Sequence, residues 1–68
     1  GEGCWTIYSP AGKAFHVLLY DLHGRLLLDL TSSDSQPLRI DSRPFSSGVY
    51  VARIRSALGI QELKLIKK

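Results

Sequence analysis

The chain has 68 residues, a net charge of +3, 44% hydrophobic and 22% charged residues, and a single cysteine. That length holds one domain at most, and a domain this small buries only about 60% of the surface its unfolded chain exposes. The composition excludes a disordered tail and no run reaches the roughly 20 apolar residues of a membrane helix; Cys4 by itself builds neither an internal disulfide nor a metal site.

Residues 1–68 read as one domain, with 1–4 as linker because Gly1-Glu2-Gly3 carries no pattern. No secretory leader is visible, so an exported protein carrying this segment would have its leader upstream. Trp5-Thr6-Ile7-Tyr8 is a run of aromatic and β-branched residues, the composition of a strand. Ser9 to Lys13 ends it with proline and glycine. Ala14 to Tyr20 is the second run, with Phe15, Val17 and Leu19 on one face and Ala14, His16, Leu18 and Tyr20 on the other. Asp21-Leu22-His23-Gly24 is a turn, and Arg25 to Leu30 completes a hairpin.

Thr31 to Pro37 is a polar loop, and Leu38 to Asp41 is a short alternating strand. Ser42 to Gly48 is another turn-rich connection. Val49 to Arg55 places Tyr50, Ala52 and Ile54 on one face, the better core candidate, because the opposite face ends in Arg53 and Arg55. Ser56 to Gly59 turns the chain into the last run, Ile60 to Lys68. That run also allows a helical stripe through Ile60, Leu63 and Ile66. Its strongly alternating neighbour and the short Gly-containing connection favour a hairpin. Leu63 and Leu65 are then expected to point inward, with Glu62 and Lys64 outward. The fold class that follows is all-β: a compact sandwich of six to seven short antiparallel strands with turns about every 8–12 residues.

Chemistry-bearing constellations are sparse. His16 lies mid-strand and His23 in a turn, and neither is brought near a nucleophile by the pattern. Asp21, Asp29, Asp34 and Asp41 sit in or beside turns, where aspartate bonds backbone N–H groups. No metal spacing, phosphate loop or dinucleotide fingerprint is present, so the expectation is no catalysis, no metal and no cofactor. The positive charge gathers late, with Arg53, Arg55, Lys64, Lys67 and Lys68 against Glu62. Lysines on an edge strand protect it from unwanted pairing, and they also suit an acidic partner. Aromatic residues are not interleaved with them, which argues against nucleic acid.

Three features in order resemble a known pattern. They are Val17-Leu18-Leu19-Tyr20-Asp21-Leu22-His23-Gly24-Arg25-Leu26-Leu27, then Leu38-Arg39-Ile40-Asp41 with Ser47-Gly48-Val49-Tyr50-Val51, and finally Gln61 to Lys68. Together they resemble the C-terminal sorting domain of type IX secretion cargo proteins, over about residues 14–68. The resemblance implies an Ig-like β-sandwich that carries no catalysis. It implies a signal that directs a periplasmic cargo through the outer-membrane translocon to the cell surface or the medium. A sortase-like protease then removes the domain, or the domain is retained for docking. Contact with anionic lipopolysaccharide and self-association are further partners within that reading. Position by position, Asp21, Gly24 and Arg25 match the turn element, and Gly48 and Tyr50 the Gly-x-Tyr element. Lys64, Lys67 and Lys68 match the basic terminal element. The family's usual Pro-Asn-Pro opening is replaced by Tyr8-Ser9-Pro10-Ala11-Gly12. If a partner reads the chain directly, the segment Leu63, Lys64, Leu65, Ile66, Lys67 and Lys68 is the candidate, including by strand addition at a free edge.

The alternative is an Ig-like adhesive or carbohydrate-binding module, which needs exposed aromatics; Trp5, Tyr8 and Phe45 are the candidates. A Tyr-Asp repeat unit is a weaker alternative, since YDLHGR occurs once.

Overall fold

The computed structural model describes residues 3–9, 12–33 and 36–68. Pro10 and Ala11 of the first expected turn, Asp34, and Gly1 and Glu2 of the expected linker lie outside the described residues. Six strands follow in order: β1 (Cys4–Ile7), β2 (Phe15–Tyr20), β3 (Leu26–Ser32), β4 (Leu38–Asp41), β5 (Gly48–Ser56) and β6 (Gly59–Lys67). The last run is β6, a nine-residue strand, so its helical option does not occur. Cys4 opens β1, so regular structure starts inside the segment read as linker.

Strands β3-β2-β5-β6 form an antiparallel sheet, and β1 pairs with β4 in a second, two-stranded sheet. The alternation in β2 and β5 dictates which faces meet. Phe15, Val17 and Leu19 from β2 and Tyr50, Ala52 and Ile54 from β5 turn inward and are buried. Ile7 of β1 and Ile40 of β4 close over them from the small sheet, and Trp5, Leu38, Phe45 and Leu65 pack at the margin. Burial of these apolar faces supplies the main drive to fold.

The β2–β3 hairpin forms as the sequence suggests, with two adjustments. Arg25 belongs to the turn, and β3 runs on through Ser32 into the stretch expected to be loop. Leu19 faces Leu28 while Tyr20 faces Leu26, so Leu27 is an extra residue on β3. The resulting bulge lets both Leu27 and Leu28 pack against the core.

Leu63 and Leu65 share the inward-facing side of β6, opposite Ala52 and Tyr50, yet their burial differs. Leu65 is half-buried against the core, but Leu63 is 43% exposed. The covering sheet has two strands against four and does not extend over β6 at that level. A side chain can point inward and still stay wet when nothing lies across from it.

Candidate recognition site

The turn element is held by its aspartate. Asp21 Oδ1 accepts hydrogen bonds from the backbone N–H groups of His23 (2.9 Å) and Arg25 (3.0 Å). The Asp21 carbonyl accepts from Gly24 N–H, and Asp21 N–H donates to the Arg25 carbonyl, both at 3.1 Å. Gly24 has φ +80°, which a side-chain-bearing residue rarely adopts. The Arg25 guanidinium stands 3.4 Å from Asp21 Oδ2. The Arg25 backbone N–H, seconded by that of His23 and by the Arg25 charge, holds the Asp21 carboxyl below its ordinary value. Asp21, Gly24 and Arg25 therefore build the turn itself.

The Gly-x-Tyr element is equally structural. Gly48 has φ +152°, a conformation L side chains rarely adopt. Tyr50 is 7% exposed, and its hydroxyl donates to the Ser46 carbonyl at 2.5 Å. A tyrosine bonded to the backbone a few residues upstream at the start of a strand has the form of a tyrosine corner. It also anchors an aromatic cluster. Trp5 stacks on Phe45 with ring centroids 6.0 Å apart, and both tilt against Tyr50 at 5.5 and 5.6 Å. Of the aromatics a glycan would need, Trp5 and Phe45 are half-buried in this cluster and only Tyr8 projects freely. Sequence reasoning missed the cluster. The signal was present in the spacing, because Trp5 and Ile7 share a face and Tyr50 shares one with Ala52 and Ile54.

Beside the cluster, the Arg43 guanidinium grips Asp41 through Nε (2.9 Å) and Nη2 (3.0 Å), and Arg43 N–H donates to the same carboxylate. The side-chain pairing, reinforced by the backbone bond, holds the Asp41 carboxyl below its ordinary value. His16 and Asp29 contact each other across the β2–β3 pair on the outer face of the large sheet.

β6 is the exposed element. Among the described residues it pairs with β5 alone. Ser56 and Gly59 flank a two-residue connection, so they form a hydrogen-bonded closing pair, and such pairs alternate along an antiparallel ladder. Gln61, Leu63, Leu65 and Lys67 thus bond toward β5. Ile60, Glu62, Lys64 and Ile66 turn their backbone groups to the open edge. The Trp5 indole donating to the Ile66 carbonyl at 3.4 Å agrees with that assignment. Side chains along this edge are wet: Ile66 is 58% exposed, and Ile60, Lys64 and Lys68 are exposed as well. Lys67 is half-buried at the rim of an open groove of about 660 Å³ shared with Cys4, Trp5, Tyr8, Ile66 and Lys68.

The structure brings the three motif pieces to one end of the sandwich. Gly48 lies opposite Lys67, and Tyr50 opposite Leu65. Asp21 and Arg25 share a small cleft with Ser46 and Tyr50. Leu63 and Lys64 extend from that end along the open edge.

Such an arrangement offers a surface and a strand edge, which is the equipment of a binding domain. The chain matches the family described as the secretion system C-terminal sorting domain over residues 2–68, and it belongs to that family of type IX secretion signals. The match extends upstream of the resemblance read from residues 14–68 and takes in β1, whose pairing with β4 completes the core. No curated protein and no solved structure matches the chain. Membership makes the domain a sorting signal of a non-catalytic family, one that interacts with the secretion machinery and accompanies export across the outer membrane to the cell surface or beyond.

Proposed function

We propose that this domain directs a periplasmic cargo through the outer-membrane type IX translocon, and that the end of the sandwich where the motif pieces meet, together with the β6 edge, is what the machinery reads. The observation that carries this reading is that the family's basic terminal motif positions lie on β6, an edge strand paired on one side among the described residues and exposed along most of its length. Residues that build the turn and the corner (Asp21, Gly24, Gly48, Tyr50) shape that end. Lys64, Ile66 and Lys68 are the groups in reach of a partner. The resemblance adds a sortase-like protease that removes the domain, or else its retention for docking. It also adds anionic lipopolysaccharide, whose charge Lys64, Lys67 and Lys68 complement.

The test is a fusion of the whole chain to a periplasmic reporter in a type IX host. The whole chain is needed because β1 supplies Ile7 and Trp5 to the core. Deleting residues 63–68 would also remove Leu65 and half the β6 ladder, so point changes are cleaner. The unaltered fusion is expected on the cell surface. Lys64→Gln, Ile66→Ser and Lys68→Gln together are expected to leave a folded reporter in the periplasm. A triple variant exported as well as the parent would overturn recognition through the edge. A parent fusion that never leaves the periplasm would overturn the sorting role.

A further inference from the structure

We infer that the β6 edge is a docking site for a second copy of this chain, which adds its own β6 antiparallel across a two-fold axis through Leu63. This goes beyond the export reading and rests on the edge geometry alone.

The argument starts from sequence symmetry. Ile60-Gln61-Glu62-Leu63-Lys64-Leu65-Ile66 is nearly palindromic in chemical type, with charge reversed across its centre. Lay two copies antiparallel with Leu63 opposite Leu63. Glu62 of each copy then faces Lys64 of the other, and Ile60 of each faces Ile66 of the other. Opposite charges and apolar pairs directly across a ladder are the favourable cross-strand combinations.

The backbone agrees. Ile60, Glu62, Lys64 and Ile66 are the residues whose N–H and C=O groups face the open edge. In this register each faces another of the same set, so Glu62 and Lys64 of opposite copies exchange backbone hydrogen bonds. Shifting by one residue would oppose edge-facing groups to groups already bonded to β5. Centring on Glu62 or on Lys64 would set like charges against each other. The Leu63 register alone satisfies the backbone and matches both charge pairs. Arg53 lies opposite Glu62 on β5 with its guanidinium 3.5 Å away, so the charge row continues from one sheet into the next. The same pairing brings the two wet Leu63 side chains together. Because Trp5 already occupies the Ile66 carbonyl, the centre of the strand carries most of the contact.

The mass of the chain in solution, followed over concentration by sedimentation, tests this without the secretion apparatus. The parent chain is expected to dimerise, weakening as salt screens the charge pairs. Glu62→Lys and Lys64→Glu should each weaken dimerisation by about tenfold or more, since like charges then face each other. An equimolar mixture of the two variants should recover the dimer, which a folding defect in either could not produce. Register is read separately in a Cys4→Ser background. Leu63→Cys should cross-link on mild oxidation, because Cα atoms of such a non-hydrogen-bonded pair lie about 4.5 Å apart, within disulfide range. Gln61→Cys should not, because its symmetry mates are offset by about 14 Å along the strands. A parent chain monomeric at about 1 mM would overturn the inference. So would a dimer indifferent to both charge reversals, or equal cross-linking from positions 61 and 63.

Discussion

β2 and β6 flank the same strand, β5, and both alternate in the same sense, yet they end in different environments. Leu19 of β2 and Leu63 of β6 both face Ala52 from opposite sides, in one row across the inner face. Leu19 is 0% exposed and Leu63 is 43% exposed. Their residue type is identical and their backbones are alike. The difference is the two-stranded sheet, which covers Leu19 but meets β6 only near Leu65 and Ile66, leaving Leu63 without a layer across from it. An apolar residue in a strand is thus a core residue only if another layer reaches it; otherwise it is available to a partner.

The largest expected effect tests the covered side. Leu19→Ala should cost about 2–5 kcal/mol in urea unfolding, enough to unfold a domain this small. Gly48→Ala should cost about 1–3 kcal/mol, because the strain lies in the backbone and no neighbouring atom lies within 4 Å of an added Cβ. Tyr50→Phe keeps the ring and loses the bond to Ser46, for about 0.5–1.5 kcal/mol, measured the same way.

Acid should produce a smaller, graded loss. The Asp21 and Asp41 carboxyls are both held below the ordinary value of 3.8, so the unfolded chain takes up their protons first. Their contribution is complete above about that pH and is lost as pH falls through their values in the fold. Thermal midpoints between pH 6 and pH 2 should show the decline, and Asp21→Asn should flatten part of it. Smallest of all, Leu63→Ala should shift unfolding by under about 0.5 kcal/mol. A cost there equal to that of Leu19→Ala would erase the distinction between the two sides of β5.

Much of this was legible before the coordinates. The β2–β3 hairpin, the inward set of β5 and the turn at Asp21 followed from side-chain alternation and from glycine in a turn. The strand at the end followed from its neighbour, since a hairpin partner of a firmly alternating run has little freedom to be helical. The aromatic cluster escaped because Trp5 and Phe45 are 40 residues apart along the chain and meet only when β1 pairs with β4. The face of Leu63 was legible but its exposure was not, because alternation names a face and not what covers it. Gly48, Tyr50 and the terminal lysines were recognisable as a pattern, while their meeting at one end depended on the β5–β6 register.

Local chemistry in the chain was enough to specify strands, turns and inner faces, because φ/ψ preferences and the two-residue period act over neighbours. It was also enough to mark the family, since the motif pieces are read in order along the chain. Which strand would be left at an edge, and which leucine would stay wet, depended on how two sheets of unequal width stack. That stacking is a non-local outcome of burying Ile7, Ile40 and their partners together, and no window of sequence contains it.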